Sequence, residues 1–426
     1  MKLKHERKNG GLAWLAWAVA ALFYLYEYLV RVAPSVMGHE LAVEFSASTA
    51  ALAAACSSYY FVYSPLQLFA GALFDRFGGK AVLIPASILV SAGCLFSIIP
   101  AHSLVCITIG RILAGVGSSC AFIGVMYLAA VWFQNNRLSF LSGFATSLGI
   151  CGALLGEAPL ALLIDKTGWK MSMALMAIIG IVVTIIITMG IPQTPRWEQS
   201  KRTAISDKLA FKHLLSGLLS VCKNKQTWLI GIVASCLYMP VVAFGDLWGV
   251  QYAQISLGIT KTHAAKVVSM LYIGWLVGSP LIGLLSDVLK RKKSLLFLGC
   301  FFSMILFLVI LLCPIKSTFT IGTLLFAAGV CSCPEVICFV ASLDVNMSNA
   351  KGSAIAVVNM IVMLVGGAFQ FIVGWLLDRG EAAHGIAAES FRNALMTMPL
   401  LMLIGMILTL FIRLKRKEPE HINFTS

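Results

Sequence analysis

Residues 71–80 run Gly71-Ala72-Leu73-Phe74-Asp75-Arg76-Phe77-Gly78-Gly79-Lys80, a short charged turn wedged between two long apolar segments. A degraded copy stands at Gly283-Leu284-Leu285-Ser286-Asp287-Val288-Leu289-Lys290-Arg291-Lys292. Glycine, leucine, aspartate and lysine recur at the same offsets, as Gly71/Gly283, Leu73/Leu285, Asp75/Asp287 and Lys80/Lys292. The copies lie 212 residues apart in a chain of 426, so one half-molecule is used twice.

Outward from the turn, the chain is 59% hydrophobic and only 12% charged, with a mean hydropathy of +0.90. Soluble domains carry roughly a quarter charged residues. No soluble core hides this much apolar surface, so the solvent is a bilayer. A helical span needs about 20 mostly apolar residues. Twelve such runs occur, over 12–37, 46–73, 81–100, 104–131, 138–163, 170–191, 226–252, 264–285, 294–313, 318–342, 352–377 and 390–413. These are helical lengths, far above the roughly ten-residue strands of an outer-membrane barrel. Met1–Gly11 is basic, but the apolar run behind it is long and lacks a small-residue cleavage site, so it reads as the first span.

The repeat divides the chain into a six-helix bundle over 1–195, a basic cytoplasmic linker over 196–225, and a second six-helix bundle with a basic tail over 226–426. Leu214, Leu215, Leu218, Leu219 and Cys222 recur at helical spacing around the linker and predict a short interfacial helix. With the N-terminus inside, 23 of the 32 lysines and arginines fall on the cytoplasmic side and 7 on the other. The positive-inside rule then places both termini in the cytoplasm. The net charge of +14 is therefore a topology signal and argues for a lipid bilayer partner, not nucleic acid. The 12 cysteines lie almost entirely in apolar runs without CxxC or histidine partners, which points to helix packing and to no metal or disulfide.

Ionisable groups inside a membrane are costly and mark function by default. Spans 1, 4, 7 and 10 carry Glu27 and Arg31, Arg111, Asp246, and Glu335, while spans 3, 6, 9 and 12 carry none in their interiors, Lys170, Arg392 and Arg413 standing only at span ends. This period of three predicts a wet central cavity lined by the charged spans, with the bare ones facing lipid. Span 5 adds Glu157. At about 1.5 Å per residue, Arg111 lies roughly 10 Å below the outer end of span 4, and Glu27 and Glu157 lie at a similar depth. Arg31 sits a turn above Glu27 on the same helix face, and Asp246 near the same level. Three acids and two bases in one layer leave one acid free to titrate. Burial favours a neutral carboxyl and a nearby arginine favours the ionised one, which is the chemistry proton coupling needs. The plain alternative is a set of structural ion pairs locking helices together.

Glu335, in the cytoplasmic half of span 10, has no obvious basic partner and is a second candidate for titration. All 7 histidines lie outside the spans or at their edges, against a histidine relay. Tyr24, Tyr26, Tyr59, Tyr60, Tyr63, Tyr238 and Trp248 cluster near the charges, with Tyr24 sharing a face with Glu27 and Tyr60 with Tyr63. Such aromatics are commonly packing or interface anchors. Gln67, Asn359 and Gln370 are candidate substrate contacts in spans that flank the cavity. Gly143, Gly149, Gly152 and Gly156 in span 5, and Gly366 and Gly367 in span 11, predict close helix approach at the interface between halves.

Over essentially its whole length the chain resembles the major facilitator superfamily of secondary transporters. GALFDRFGGK, with Leu83, is similar to the family's element between spans 2 and 3, with Gly79 in place of the usual second basic residue. Gly110-Arg111-Ile112-Leu113-Ala114-Gly115-Val116-Gly117 resembles its span-4 element, whose arginine is associated with proton coupling. The resemblance implies an all-α membrane protein of two pseudo-symmetric six-helix bundles working without a cofactor. It implies a gating role for Gly71, Asp75, Arg76, Gly78 and Lys80, and for Gly283, Asp287 and Arg291 in the second copy, with Asp75 docking on the opposite half. Gly156-Glu157-Ala158-Pro159 departs from the GPxxGG-like element of drug/proton antiporters. The stretch from Phe23 to Met37 is similar to phagosomal nutrient transporters of intracellular proteobacteria, which import amino acids and in some cases nucleosides.

The resulting expectation is a monomeric, proton-coupled importer of a small polar nutrient, an amino acid, acting by alternating access. Glu27, Arg111, Glu157, Asp246 and Glu335 are the expected coupling groups. Tyr24, Glu27, Arg31, Tyr63, Tyr238, Trp248 and Asn359 are the expected substrate contacts. The rivals are an efflux antiporter for drugs or siderophore-like metabolites and a nutrient sensor that binds without turnover. An enzyme is not indicated, since no nucleotide loop, nucleophile elbow or metal spacing occurs.

Overall fold

The computed structural model describes residues 10–99, 103–133, 138–192, 216–289, 291–346, 351–384 and 388–414. Eleven of its helical stretches are long and apolar enough to cross a bilayer, and among the described residues the regular structure is all helical. The helix Thr49–Phe77, span 2, is 29 residues long but is diluted by its serines, tyrosines and Gln67. It completes twelve spans in two six-helix halves. Their bounds fall within a few residues of the predicted ones, with two extensions. Span 1 runs on as Pro34–Glu44 beyond a break at Ala33, and span 11 runs from Lys351 to His384.

The charge pattern is written into the packing. Spans 7, 1, 4 and 10 are buried over 83, 67, 61 and 56% of their apolar windows, the four highest shares. Spans 3, 6, 9 and 12 fall between 33 and 50%, and span 8 is at 39%. Helices that carry charge therefore stand at the centre, where other protein solvates them, and bare helices meet the lipid.

Proline breaks the central helices where polar groups are needed. Pro34 has no N–H to offer the carbonyl of Val30 one turn earlier. Span 5 is interrupted at Glu157 (φ −92, ψ −109), just before Pro159. Span 7 loosens into a π-helical stretch over Pro240–Trp248, the kind of irregularity that gathers at functional positions.

The signature turn is made by Gly78, at φ 85, which closes the span 2 helix with its N–H on the Phe74 carbonyl and starts span 3. A side chain at this left-handed position would be strained. Arg76 lies over the Phe77 ring with its Cζ 5.2 Å from the centroid, and Lys80 is half-buried. Gly71 and Gly283 face open space, and Arg291 precedes the helix Lys292–Leu312. The side chains of Asp75 and Asp287 lie outside the described residues.

The termini and linker residues 193–215, including Leu214 and Leu215, also lie outside the described residues. Residues 216–223 form the short helix expected there. Val221 packs with Ala354, Val357 and Ile361, and Leu218 and Cys222 pack against them, while Leu219 is exposed.

Span 5 meets span 8 of the other half, as expected of a helix at the seam, but its glycines face elsewhere. Gly152 lies against the carbonyl of Leu25, Gly149 against Tyr24 and Tyr28, and Gly156 against Leu29 and Val32, all on span 1 of the same half. A β-carbon at Gly143 would meet nothing within 4 Å. The seam is built mainly by spans 2 and 11, where Gly367 meets Tyr60 and Ser57, while Gly366 meets Val242 within its own half.

Candidate functional site

Arg31 and Glu27 form a fully buried ion pair on one face of span 1, at 1% and 0% exposure. Glu27 Oε1 accepts both Arg31 Nε (3.0 Å) and Nη2 (2.8 Å), and also the Tyr59 hydroxyl. Arg31 in turn donates to the hydroxyls of Tyr59 and Tyr63, each at 3.3 Å. The Tyr28 ring lies over the guanidinium at 4.0 Å, a cation–π contact that fixes it out of plane. Two buried polar atoms are left without a partner, Arg31 Nη1 and Glu27 Oε2. Buried polar groups are nearly always satisfied. One bare donor and one bare acceptor on the same ion pair are what a polar ligand would fill.

Arg111 comes to this layer but does not pair with Glu157. Its Nη1 donates to the Val30 carbonyl (3.1 Å), which Pro34 leaves without a helix donor, and its other nitrogens reach the carbonyls of Arg31 and Cys56 at 3.4 Å. Its Cζ also sits 4.5 Å from the Tyr59 ring centroid. Glu157 Oε1 accepts the Ser35 hydroxyl at 3.0 Å, and its Oε2 is bare and buried. The break at Glu157 thus turns a carboxylate toward the kink of span 1.

The other half contributes Asp246, whose Oδ2 accepts Tyr60 (2.5 Å) and whose Oδ1 accepts Tyr272 (2.7 Å). Tyr28 and Tyr238 meet across the halves through their hydroxyls at 3.3 Å. Gln67 donates to Tyr63 at 2.7 Å and accepts from Asn359, tying span 2 to span 11.

The structure therefore gathers Glu27, Arg31, Tyr63, Tyr238, Asn359, Arg111 and Asp246 around one seam. Tyr24 instead packs edge-on to Tyr28 and against Phe122. Trp248 commits its indole N–H to the Gln370 carbonyl at 3.1 Å and packs on Phe391. Glu335, 4% exposed, opens the helix Glu335–Val345 and makes no hydrogen bond or ion pair among the described residues. Tyr28, Tyr59, Tyr60 and Tyr272 are site residues that sequence reasoning did not assign. A signal was present in the spacing of Tyr59, Tyr60 and Tyr63, but Tyr59 and Tyr63 act together on Arg31 while Tyr60 crosses the seam. Tyr272 carries no signal of its own.

At the end of the bundle away from the linker, Lys261 of span 8 bridges Glu40 at the end of span 1 and Asp165 at the end of span 5. Thr262 adds a bond to Asp165 at 2.7 Å, and Asp378 accepts the Ala50 N–H at 3.0 Å. The halves are latched there.

A twelve-span, two-half bundle with a buried polar centre is the build of a secondary transporter. The profile of the Major Facilitator Superfamily matches residues 15–370, and the chain belongs to that family. It is a multi-pass membrane transporter and not an enzyme. The chain is 21% identical over 65% of its length to the Cupriavidus necator protein named "Probable sulfoacetate transporter SauU", covering 66% of it. It is 24% identical over 66% of its length to the Bacillus subtilis protein named "Probable galactarate/D-glucarate transporter GudP", covering 67% of it. It is 26% identical over 50% of its length to the Nostoc punctiforme nitrate/nitrite transporter NrtP, covering 40% of it. The chain thus spans about two thirds of the first two relatives it matches. Among solved structures, a bacterial homolog of the human lysosomal transporter Spinster, inward-facing and occupied, aligns with a TM-score of 0.75 at 13% identity, over 95% of this chain and 97% of that one. The D-xylose-proton symporter aligns at 0.70 and 17% identity, over 94% and 97%. These likenesses concern the fold.

Proposed function

We propose that the protein is a proton-coupled symporter of the bacterial inner membrane that imports a small polar nutrient bearing a carboxylate, an amino acid, by alternating access. Both termini are cytoplasmic on this reading, and residues 1–195 and 226–426 move as two bodies joined by the 196–225 linker. The observation that carries it is the bare Nη1 of Arg31 beside the bare Oε2 of Glu27, both buried. Arg31 holds the substrate carboxylate through a charge-assisted bond. Glu27 takes the coupling proton, in the field of Arg111 and Glu157. Glu335 is a further titrating group, remote from that pair. Three relatives are named for sulfoacetate, galactarate/D-glucarate and nitrate/nitrite, all anions, which supports an anion-holding arginine. The resemblance of span 1 to phagosomal nutrient transporters supports an amino acid. A 29% identical match over 34% of this chain to the Shigella flexneri multidrug resistance protein MdtL favours the efflux reading. Hypersensitivity of knockout cells to amphipathic cations would bear that reading out.

The test uses the purified protein in proteoliposomes with a uniformly 14C-labelled mixture of the twenty amino acids. Glu27→Gln is expected to abolish uphill uptake driven by a pH gradient and to leave counterflow exchange in place. Concentrative uptake at the wild-type level by this variant would sink the proposal. Absence of any flux by the wild-type protein would favour a sensor.

A further inference from the structure

Asp246 is 2% exposed, yet among the described residues no lysine or arginine pairs with it. Its oxygens are held by two phenols, Tyr60 from the opposite half and Tyr272 from its own. A buried carboxylate is normally matched by a countercharge, because neutral donors recover only part of its lost hydration. On the other side of the seam the balance is reversed. Arg31 is neutralised by Glu27 but keeps Nη1 free, and among the described residues the hydrogen bonds of Arg111 all go to backbone carbonyls. Among the described residues Glu157 also has no cation partner, and its bond to Ser35 ties it to span 1 of its own half.

Tyr60 reaches Asp246, while its neighbours Tyr59 and Tyr63 on the same helix reach Arg31. A single layer of tyrosines therefore separates an unfilled cationic donor from an unmatched anion. Two of the polar contacts across this layer are phenol hydroxyls, Tyr60 on Asp246 and Tyr28 on Tyr238, beside the amide contact of Asn359 with Gln67. The hydroxyls are groups a substrate can displace.

We propose that Asp246 recognises the substrate's ammonium group, so that the transported molecule is a zwitterion laid across the seam, its carboxylate on Arg31 Nη1 and its ammonium in place of the Tyr60 hydroxyl on Asp246. This rests on the transport reading above and adds the polarity with which the molecule is held. The phenol gives the carboxylate a hydrogen bond but no countercharge, whereas an ammonium supplies both, so the ammonium replaces the phenol. It also means that the substrate closes the site only when both halves touch it, which alternating access requires. Glu27 is left to carry the proton, and the two carboxylates have separate work.

The experiment is counterflow exchange of the 14C-labelled amino-acid mixture in proteoliposomes at equal pH on both sides, so that proton coupling is not read. Wild type is expected to exchange the label, with competition from free amino acids but not from N-acetylated amino acids or amino-acid amides. Asp246→Asn is expected to lower exchange at least tenfold while remaining monodisperse on size exclusion. Asp246→Glu is expected to restore part of it. Tyr60→Phe removes the competing hydroxyl and is expected to lower the half-saturating concentration several-fold. Wild-type rates in Asp246→Asn, or equal competition by N-acetylated amino acids, overturn the assignment of Asp246 alone. Wild-type exchange in Asp246→Asn, with loss only of uptake driven by a pH gradient in a separate measurement, overturns it too and makes Asp246 a proton site. If wild type exchanges no label, the amino-acid reading itself fails.

Discussion

Arg31 is held from every direction but one. Glu27 and two tyrosines fix its Nε–Nη2 edge, and Tyr28 covers its face. A planar guanidinium is needed for this, since a lysine would bring a single point of charge and no second edge. Arg31→Lys is therefore expected to lower amino-acid exchange in proteoliposomes at least tenfold although the net charge is kept. Exchange within twofold of wild type would show that only the charge matters. Arg111 illustrates the opposite use of the same residue type. Its guanidinium meets the Val30 carbonyl freed by Pro34 and is not spent on an acid.

At the scale of the element, span 1 is shaped by its break. Pro34 bends the helix and exposes the Val30 carbonyl, Arg111 fills it, and Ser35 on the next turn holds Glu157. Span 5 must come close to receive this kink, and Gly152 permits it by lying against the Leu25 carbonyl. A β-carbon there would overlap backbone, which cannot move away as a flexible side chain would. Overpacking of this kind costs about 1–3 kcal/mol. Gly152→Val is expected to lower the thermal unfolding temperature in detergent, and an unchanged temperature would mean that the two helices separate freely.

At the scale of the molecule, two polar layers join the halves: the tyrosine–aspartate seam at the centre and the Lys261 latch at the end away from the linker. The latch is partly exposed, with Asp165 at 43% and Glu40 at 29% side-chain exposure. Each such pair is worth roughly 1 kcal/mol or less, which still shifts a two-state population about fivefold. Lys261→Met is expected to open that end more often. Modification of Val36→Cys in a cysteine-free background by an impermeant maleimide should then speed up about fivefold, since Val36 is buried one turn before Glu40 of the latch on the same helix. An unchanged rate would place the gate elsewhere. The turn at Gly78 stands at the other end of span 2 from this latch, consistent with a role for Asp75 and Arg76 in motion more than in recognition.

Composition, repeat and charge period determined the bilayer, the twelve helices, the two halves and the central position of spans 1, 4, 7 and 10. These properties are summed residue by residue along the chain, because the cost of each apolar or charged group in lipid depends little on which neighbour it meets. The pairing inside the centre was decided by tertiary structure alone. Beyond the i, i+4 pair of Glu27 and Arg31, Arg111 takes backbone in place of Glu157, Tyr60 crosses to Asp246 while Tyr59 and Tyr63 stay with Arg31, and span 5 spends its glycines on span 1. Each outcome turns on a helix rotation or a proline break of a few ångströms, and hydrogen bonds extend only about 3 Å. Equal depth in the membrane brings groups to one layer, but only the packed kinks choose which of them touch.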